Sequence, residues 1–122
     1  MTTILYVEDN ENNVYMLTRR LEKKGFTVTV AEDGVSGVAR AQSDLPDLII
    51  MDLILPNMDG WEATRKLKTD QATQHIPIIA LSASVSKDDI QSAYDAGCDD
   101  VDTKPVDMER LLGKIQQQLN PH

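Results

Sequence analysis

Several things are scarce in this sequence, and each shortage closes off a class of function. There is one cysteine, Cys98, in 122 residues. A lone thiol cannot close an intrachain disulfide, form a two-cysteine redox pair or furnish a cysteine zinc site, and it suits a reducing cytoplasm. No long apolar run is present, so nothing is predicted to span a bilayer. No secretory signal is expected in the opening residues, because the stretch after Met1-Thr2-Thr3 soon meets Glu8 and Asp9. Bases are outnumbered, with 12 Lys and Arg against 20 Asp and Glu and a formal charge of -8. That balance argues against a nucleic-acid backbone or an anionic membrane as the main partner. Internal repeats, linkers and low-complexity segments are also missing.

What remains is an ordinary globular composition, 41% hydrophobic and 26% charged. The length fits one domain, residues 1–122, with a core that needs no staples. Short runs rich in Ile, Val and Leu at Ile4–Val7, Thr27–Ala31, Leu48–Met51, Ile76–Leu81 and, weakly, Val101–Thr103 read as strands. Three are nearly continuous apolar runs, as strands covered on both faces should be. Between them lie stripes of helical spacing, such as Val14, Leu17 and Leu21, and Met108, Leu111, Leu112, Ile115 and Leu119. Asp59 with Glu62, and Ser86 with Asp89, have the spacing of a capping box. Strands alternating with helices predict an α/β sandwich around a parallel sheet.

In such sheets ligands bind at the carboxyl ends of the strands. The polar residues at those ends are Glu8, Asp9 and Asn10, then Asp52, then Ser82, then Lys104 and Pro105. Three carboxylates, one hydroxyl and one ammonium should converge on one rim. Clustered carboxylates repel each other and call for a cation, and oxygen donors without His or Cys favour Mg2+ over Zn2+. A carboxylate beside Mg2+ and a lysine is equipped to attack a phosphoryl group, with the charges of metal and Lys104 offsetting those of the transferring oxygens. Each residue alone has a plainer explanation as a cap, a turn or a surface lysine. Their recurrence at successive strand ends favours the functional reading.

The segments Val7-Glu8-Asp9-Asn10, Met51-Asp52-Leu53-Ile54-Leu55-Pro56-Asn57-Met58-Asp59-Gly60, Ala80-Leu81-Ser82-Ala83 and Thr103-Lys104-Pro105 resemble the four signatures of bacterial response-regulator receiver domains, the CheY-like superfamily. Asp9-Asn10-Glu11-Asn12-Asn13 and Ala96-Gly97-Cys98 look most like single-domain receivers of the DivK type. The resemblance implies a flavodoxin-like (βα)5 sandwich with strand order 2-1-3-4-5. It implies that Asp52 takes a phosphoryl group from a sensor histidine kinase or phosphotransfer protein. Mg2+ would be held by Asp9, Asp52 and the Ile54 carbonyl, with Glu8 acting through water. Lys104, Ser82 and the backbone N–H groups of Ile54 and Ala83 would cradle the phosphoryl group, and the Lys104-Pro105 bond would be cis. The expected protein is a cytoplasmic switch rather than a turnover enzyme. It would act on a downstream protein partner with no output domain in this chain, or on a second copy through a non-standard interface. The competing expectation is a protein-interaction module that works without phosphorylation.

Three positions depart from the receiver pattern. The family's aromatic residue three places before the lysine is Val101 here, which implies a muted switch or an output through another surface. Asp102 occupies a place that is apolar in the family. It should face away from the Val101 side, either as a charge guarding an edge strand or paired with a base such as Arg110. Ile54 cannot orient water by hydrogen bonding, so self-dephosphorylation should be slow. Cys98 is expected to be buried, His75 to lie on the surface, and Trp61, Tyr15 and Tyr94 to pack. Seven acids between residues 88 and 107, with Lys104 the only base among them, predict an acidic face that prefers a basic partner.

Overall fold

A computed structural model describes residues 2–83 and 86–120. Within them, five parallel strands form one sheet in the order β2-β1-β3-β4-β5. The elements alternate as β1 Thr3–Val7, α1 Glu11–Lys23, β2 Thr27–Ala31, α2 Gly34–Asp44, β3 Leu48–Asp52, α3 Gly60–Thr69, β4 Ile78–Ser82, α4 Lys87–Ala96, β5 Asp100–Thr103 and α5 Met108–Leu119. The expected fold class and strand order are thus the observed ones. The fourth strand starts two residues later than its apolar run suggested. Pro77 lacks an N–H for the ladder, and the carbonyl of Ile76 accepts from Lys68 Nζ at 2.7 Å instead.

Alternation along each strand divides the core in two. On one face Leu5, Val7, Ile49, Met51, Ile78, Ala80 and Val101 pack against α2, α3 and α4. On the other, Ile4, Tyr6, Ile50, Ile79 and Leu81 meet Leu17 and Leu21 of α1 and Leu111 and Ile115 of α5. Every residue of β3 and β4 is buried, which is why both read as continuous apolar runs. Truncating a large member such as Ile50 to Ala should cost about 2–5 kcal/mol.

The helix starts follow from their caps. Asn10, Asp33, Asp59, Ser86 and Asp107 each accept from a backbone N–H three residues on. A reciprocal box forms at Asp33 with Ser36, where a hydroxyl answers the cap's own N–H, whereas at Asp59 only the cap's side of the expected pair with Glu62 is present among the described residues. Gly60 matters for placement. A Cβ there would collide with the carbonyl of Asp52, so only glycine lets α3 start directly beneath the end of β3. Tyr15 and Tyr94 do not pack as expected. Both are exposed, and their hydroxyls meet Arg19 and Asp100 at 3.0 and 3.3 Å. His75 is exposed and Cys98 buried, as anticipated.

Candidate functional site

Strand register brings the polar strand ends to one level. Val7 pairs with Met51, Asp52 with Leu81, and Ser82 with Thr103. Glu8, Asp52 and Lys104 therefore emerge along one rim. Short backbone bonds extend the ladder past the strands: Glu8 N–H reaches the Ala31 carbonyl, Leu53 N–H that of Leu81, and Lys104 N–H that of Ser82. The rim is thus fixed by main chain before any side-chain contact is counted. The Lys104-Pro105 bond is cis.

Lys104 Nζ lies 3.0 Å from Glu8 Oε1 and 3.0 Å from Asp52 Oδ2, bridging the two. Glu8 and Asp52 are buried at 1% and 5% exposure, whereas Asp9 stands open to solvent. Oxygens of Glu8, Asp9 and Asp52 all lie within 4.8 Å of one another. Ile54 N–H points back at Asp52 Oδ1, at 3.4 Å, while its side chain is exposed. Ser82 is buried at the end of β4 and Ala83 is exposed beside it on the rim. Glu8, Asp9, Asp52 and Lys104 are thus brought together at one rim, with Ser82 and Ala83 at the neighbouring strand end.

Electrostatics at the rim are uneven. Burial, then the neighbouring Glu8, raises the Asp52 carboxyl to about 6. Burial also works against the charge on Glu8, but the neighbouring Asp52 carboxyl and the hydrogen bond from Lys104 outweigh it and hold Glu8 below its ordinary value. Lys104 is desolvated too, yet its bonds to Asp52 and Glu8 keep it firmly protonated. Three carboxylates and one ammonium leave two negative charges in excess. An all-oxygen donor set of that charge, without His or Cys, fits a hard divalent ion such as Mg2+.

Sequence reasoning missed two donors to Glu8. The hydroxyl of Tyr6 reaches Oε1 at 3.1 Å, and Asn13 Nδ2 reaches the same oxygen at 3.4 Å. A signal for the first was present, since residue 8 directly continues β1 and so falls on the same face as residue 6. Burial and the charge of Glu8 push the Tyr6 phenol far above its usual range, so it remains a donor.

The departures also find places. Val101 is buried in the core with Ala93 and Cys98. Asp102 is 3% exposed, faces the opposite side, and pairs with Arg110 Nε at 2.6 Å. β5 is indeed an edge strand, but burial and the ion pair show that Asp102 does more than guard an edge. The acidic face is less acidic than its sequence suggested. Asp99, Asp100 and Asp102 are neutralised by Lys68, Lys114 and Arg110, bases brought in from other segments.

Comparison with known proteins agrees with this geometry. Residues 4–116 match the family described as the response regulator receiver domain. The chain is 40% identical to Protein PilH of Pseudomonas aeruginosa over 98% of both chains, and 33% identical to the polar-differentiation response regulator DivK of Brucella ovis over 96% of this chain and 95% of that one. It is 38% identical to the response regulator PleD of Caulobacter vibrioides, but spans only 25% of that protein's length. Among solved structures, the receiver domain of a Pseudomonas aeruginosa sensor histidine kinase, with a magnesium ion coordinated in its active-site cleft, superposes with a TM-score of 0.91 at 34% identity, over 97% of each chain. The chemotaxis protein CheY4 of Vibrio cholerae gives a TM-score of 0.91 at 29% identity, over 98% of this chain and 99% of that one. With its fold, its rim and its motifs in agreement, this chain belongs to the response regulator receiver domain family.

Proposed function

We propose that this protein accepts a phosphoryl group on Asp52 from a phosphohistidine of a sensor kinase or phosphotransfer protein, and thereby switches its contacts with a downstream protein partner. The observation that carries the reading is the ammonium of Lys104 held between Glu8 and Asp52 at the carboxyl end of the sheet. Asp9, Asp52, the Ile54 carbonyl and, through water, Glu8 would hold Mg2+, which supplies charge neutralisation for the incoming phosphoryl oxygens. A carboxylate oxygen of Asp52 attacks phosphorus. The P–N bond to the donor imidazole breaks as the P–O bond forms, its electron pair stays on that nitrogen, and the imidazole, already protonated on its other ring nitrogen, leaves neutral. Lys104 follows the phosphoryl oxygens from the same side, and the N–H groups of Ile54 and Ala83 with the Ser82 hydroxyl complete the cradle.

Chemistry of this kind serves a signal and not turnover. The new charge and acceptors at Asp52 bias nearby segments between two arrangements. Val101 offers no ring to swing, so the switch runs in a muted form. Among the described residues no helix is long and apolar enough to cross a membrane, in keeping with a cytoplasmic place of action.

Acetyl phosphate with Mg2+ followed by intact-mass measurement tests the reading. A phosphoryl adduct that disappears in Asp52→Asn is expected. Absence of any adduct, with this donor or with a phosphohistidine protein, would instead favour a phosphorylation-independent interaction module.

A further inference from the structure

β1 is aliphatic through Ile4, Leu5 and Val7, with one aromatic hydroxyl, Tyr6, set into it. Tyr6 is 1% exposed and lies in the apolar layer between the sheet and helices α1 and α5. Phenylalanine would fill the same volume without a polar atom to satisfy. The hydroxyl meets a partner at the rim, Glu8 Oε1, at 3.1 Å. The two oxygens of Glu8 are treated unequally. Oε1 accepts from Tyr6, from Lys104 Nζ at 3.0 Å and from Asn13 Nδ2 at 3.4 Å. Oε2 accepts from the backbone N–H of Asn10 at 3.3 Å. Three side-chain donors from β1, α1 and the segment after β5 thus fasten one oxygen, while the other is held from the loop that carries Asp9.

We propose that Tyr6 is a positioning residue for the cation site: its hydroxyl ties down Oε1 of Glu8, so that Oε2 is the oxygen turned toward the ion and its waters. The inference rests on the metal reading given above and goes beyond it by naming the buried group that sets the carboxylate's orientation. A hydrogen bond from behind a ligating or water-bridging carboxylate restricts its rotation, and losing such a partner typically weakens metal affinity by roughly 10- to 100-fold. Because Glu8 acts through water and keeps Lys104 and Asn13, the lower end of that range applies.

Calorimetric titration with MgCl2 alone, on the full chain and on Tyr6→Phe, is the test. Tyr6→Phe keeps the ring, and a thermal melt checks that it folds. It should bind Mg2+ about tenfold more weakly, while Tyr94→Phe, at an exposed hydroxyl on α4, should match the unaltered protein. Asn13→Ala, at an exposed helix position, should weaken binding in the same direction by a smaller factor. In acetyl phosphate labelling, the Mg2+ concentration giving half the maximal rate should rise in Tyr6→Phe with the rate at saturating Mg2+ nearly unchanged. Mg2+ affinity within twofold of the unaltered protein, or a fallen saturating rate with an unchanged half-saturation point, would overturn the role assigned to Tyr6. Failure of the unaltered protein to bind Mg2+ would overturn the metal reading itself, and the inference with it.

Discussion

Among the described residues, two places bury a carboxylate against a base, and they are balanced differently. At the rim, Lys104 faces both Glu8 and Asp52, with Asp9 close by. On β5, Asp102 faces Arg110 one to one and also accepts the Thr103 N–H at 2.8 Å. The first cluster keeps an excess of negative charge at a level where strand ends open to solvent. The second is neutral as it stands, although Asp102 Oδ2 is buried without a hydrogen-bond partner among the described residues. Burial of a charge therefore does not by itself mark a functional site. Unbalanced charge at a strand end is the feature on which the proposed function rests, because such a cluster could hold a metal ion.

Substitutions at the two bases should separate the clusters. The largest effect is expected for Lys104→Ala, which removes the positive group nearest Asp52. Phosphorylation by acetyl phosphate should slow by about a hundredfold, while Mg2+ should raise the melting temperature more than it does in the unaltered protein. A rate within a fewfold of normal would reduce Lys104 to a structural counter-ion. Arg110→Ala should act on stability instead. Leaving Asp102 buried and unpaired should cost about 2–3 kcal/mol in denaturant unfolding, the low end for a broken buried pair because Arg110 is partly exposed. Asp102→Leu, which removes the buried charge and frees an arginine that can return to water, should change stability by no more than about 1 kcal/mol. Equal costs for the two variants would show that the pair is a net stabiliser, against the account. The smallest effect concerns water. Ile54→Asn places a polar amide at the mouth of the rim and should speed phosphate release severalfold, whereas a slower variant would contradict the role given to Ile54.

The sequence disclosed the rim more fully than the surface, for a physical reason. Parallel strands that are buried on both faces leave a plain pattern, and the residues ending those runs must meet on one edge. Glu8, Asp52, Ser82 and Lys104 were legible on that ground. Register does the rest, and a short strand leaves little freedom in it. The Tyr6 contact was legible only in principle. A tyrosine in an apolar strand normally reads as core, and nothing local says that its hydroxyl ends on Glu8. The acidic face was misjudged because counting along residues 88 to 107 misses Lys68, Arg110 and Lys114, which reach Asp99, Asp102 and Asp100 from α3 and α5. The box at Asp33 went unseen for a similar reason. Ser36 can answer the cap's N–H because its short hydroxyl sits beside it, at 3.3 Å, whereas the Glu62 side chain is exposed to water.

The chemistry proposed for the rim turns on where a phosphoryl group goes and what it requires to get there. Labelling with acetyl phosphate, with Mg2+ or with a chelator, followed by mass analysis of the peptide that contains Asp52, addresses both at once. The expected result is one acid-stable, base-labile adduct on Asp52 that forms only with Mg2+. An adduct on another residue, or one on Asp52 that forms equally well in chelator, would contradict it.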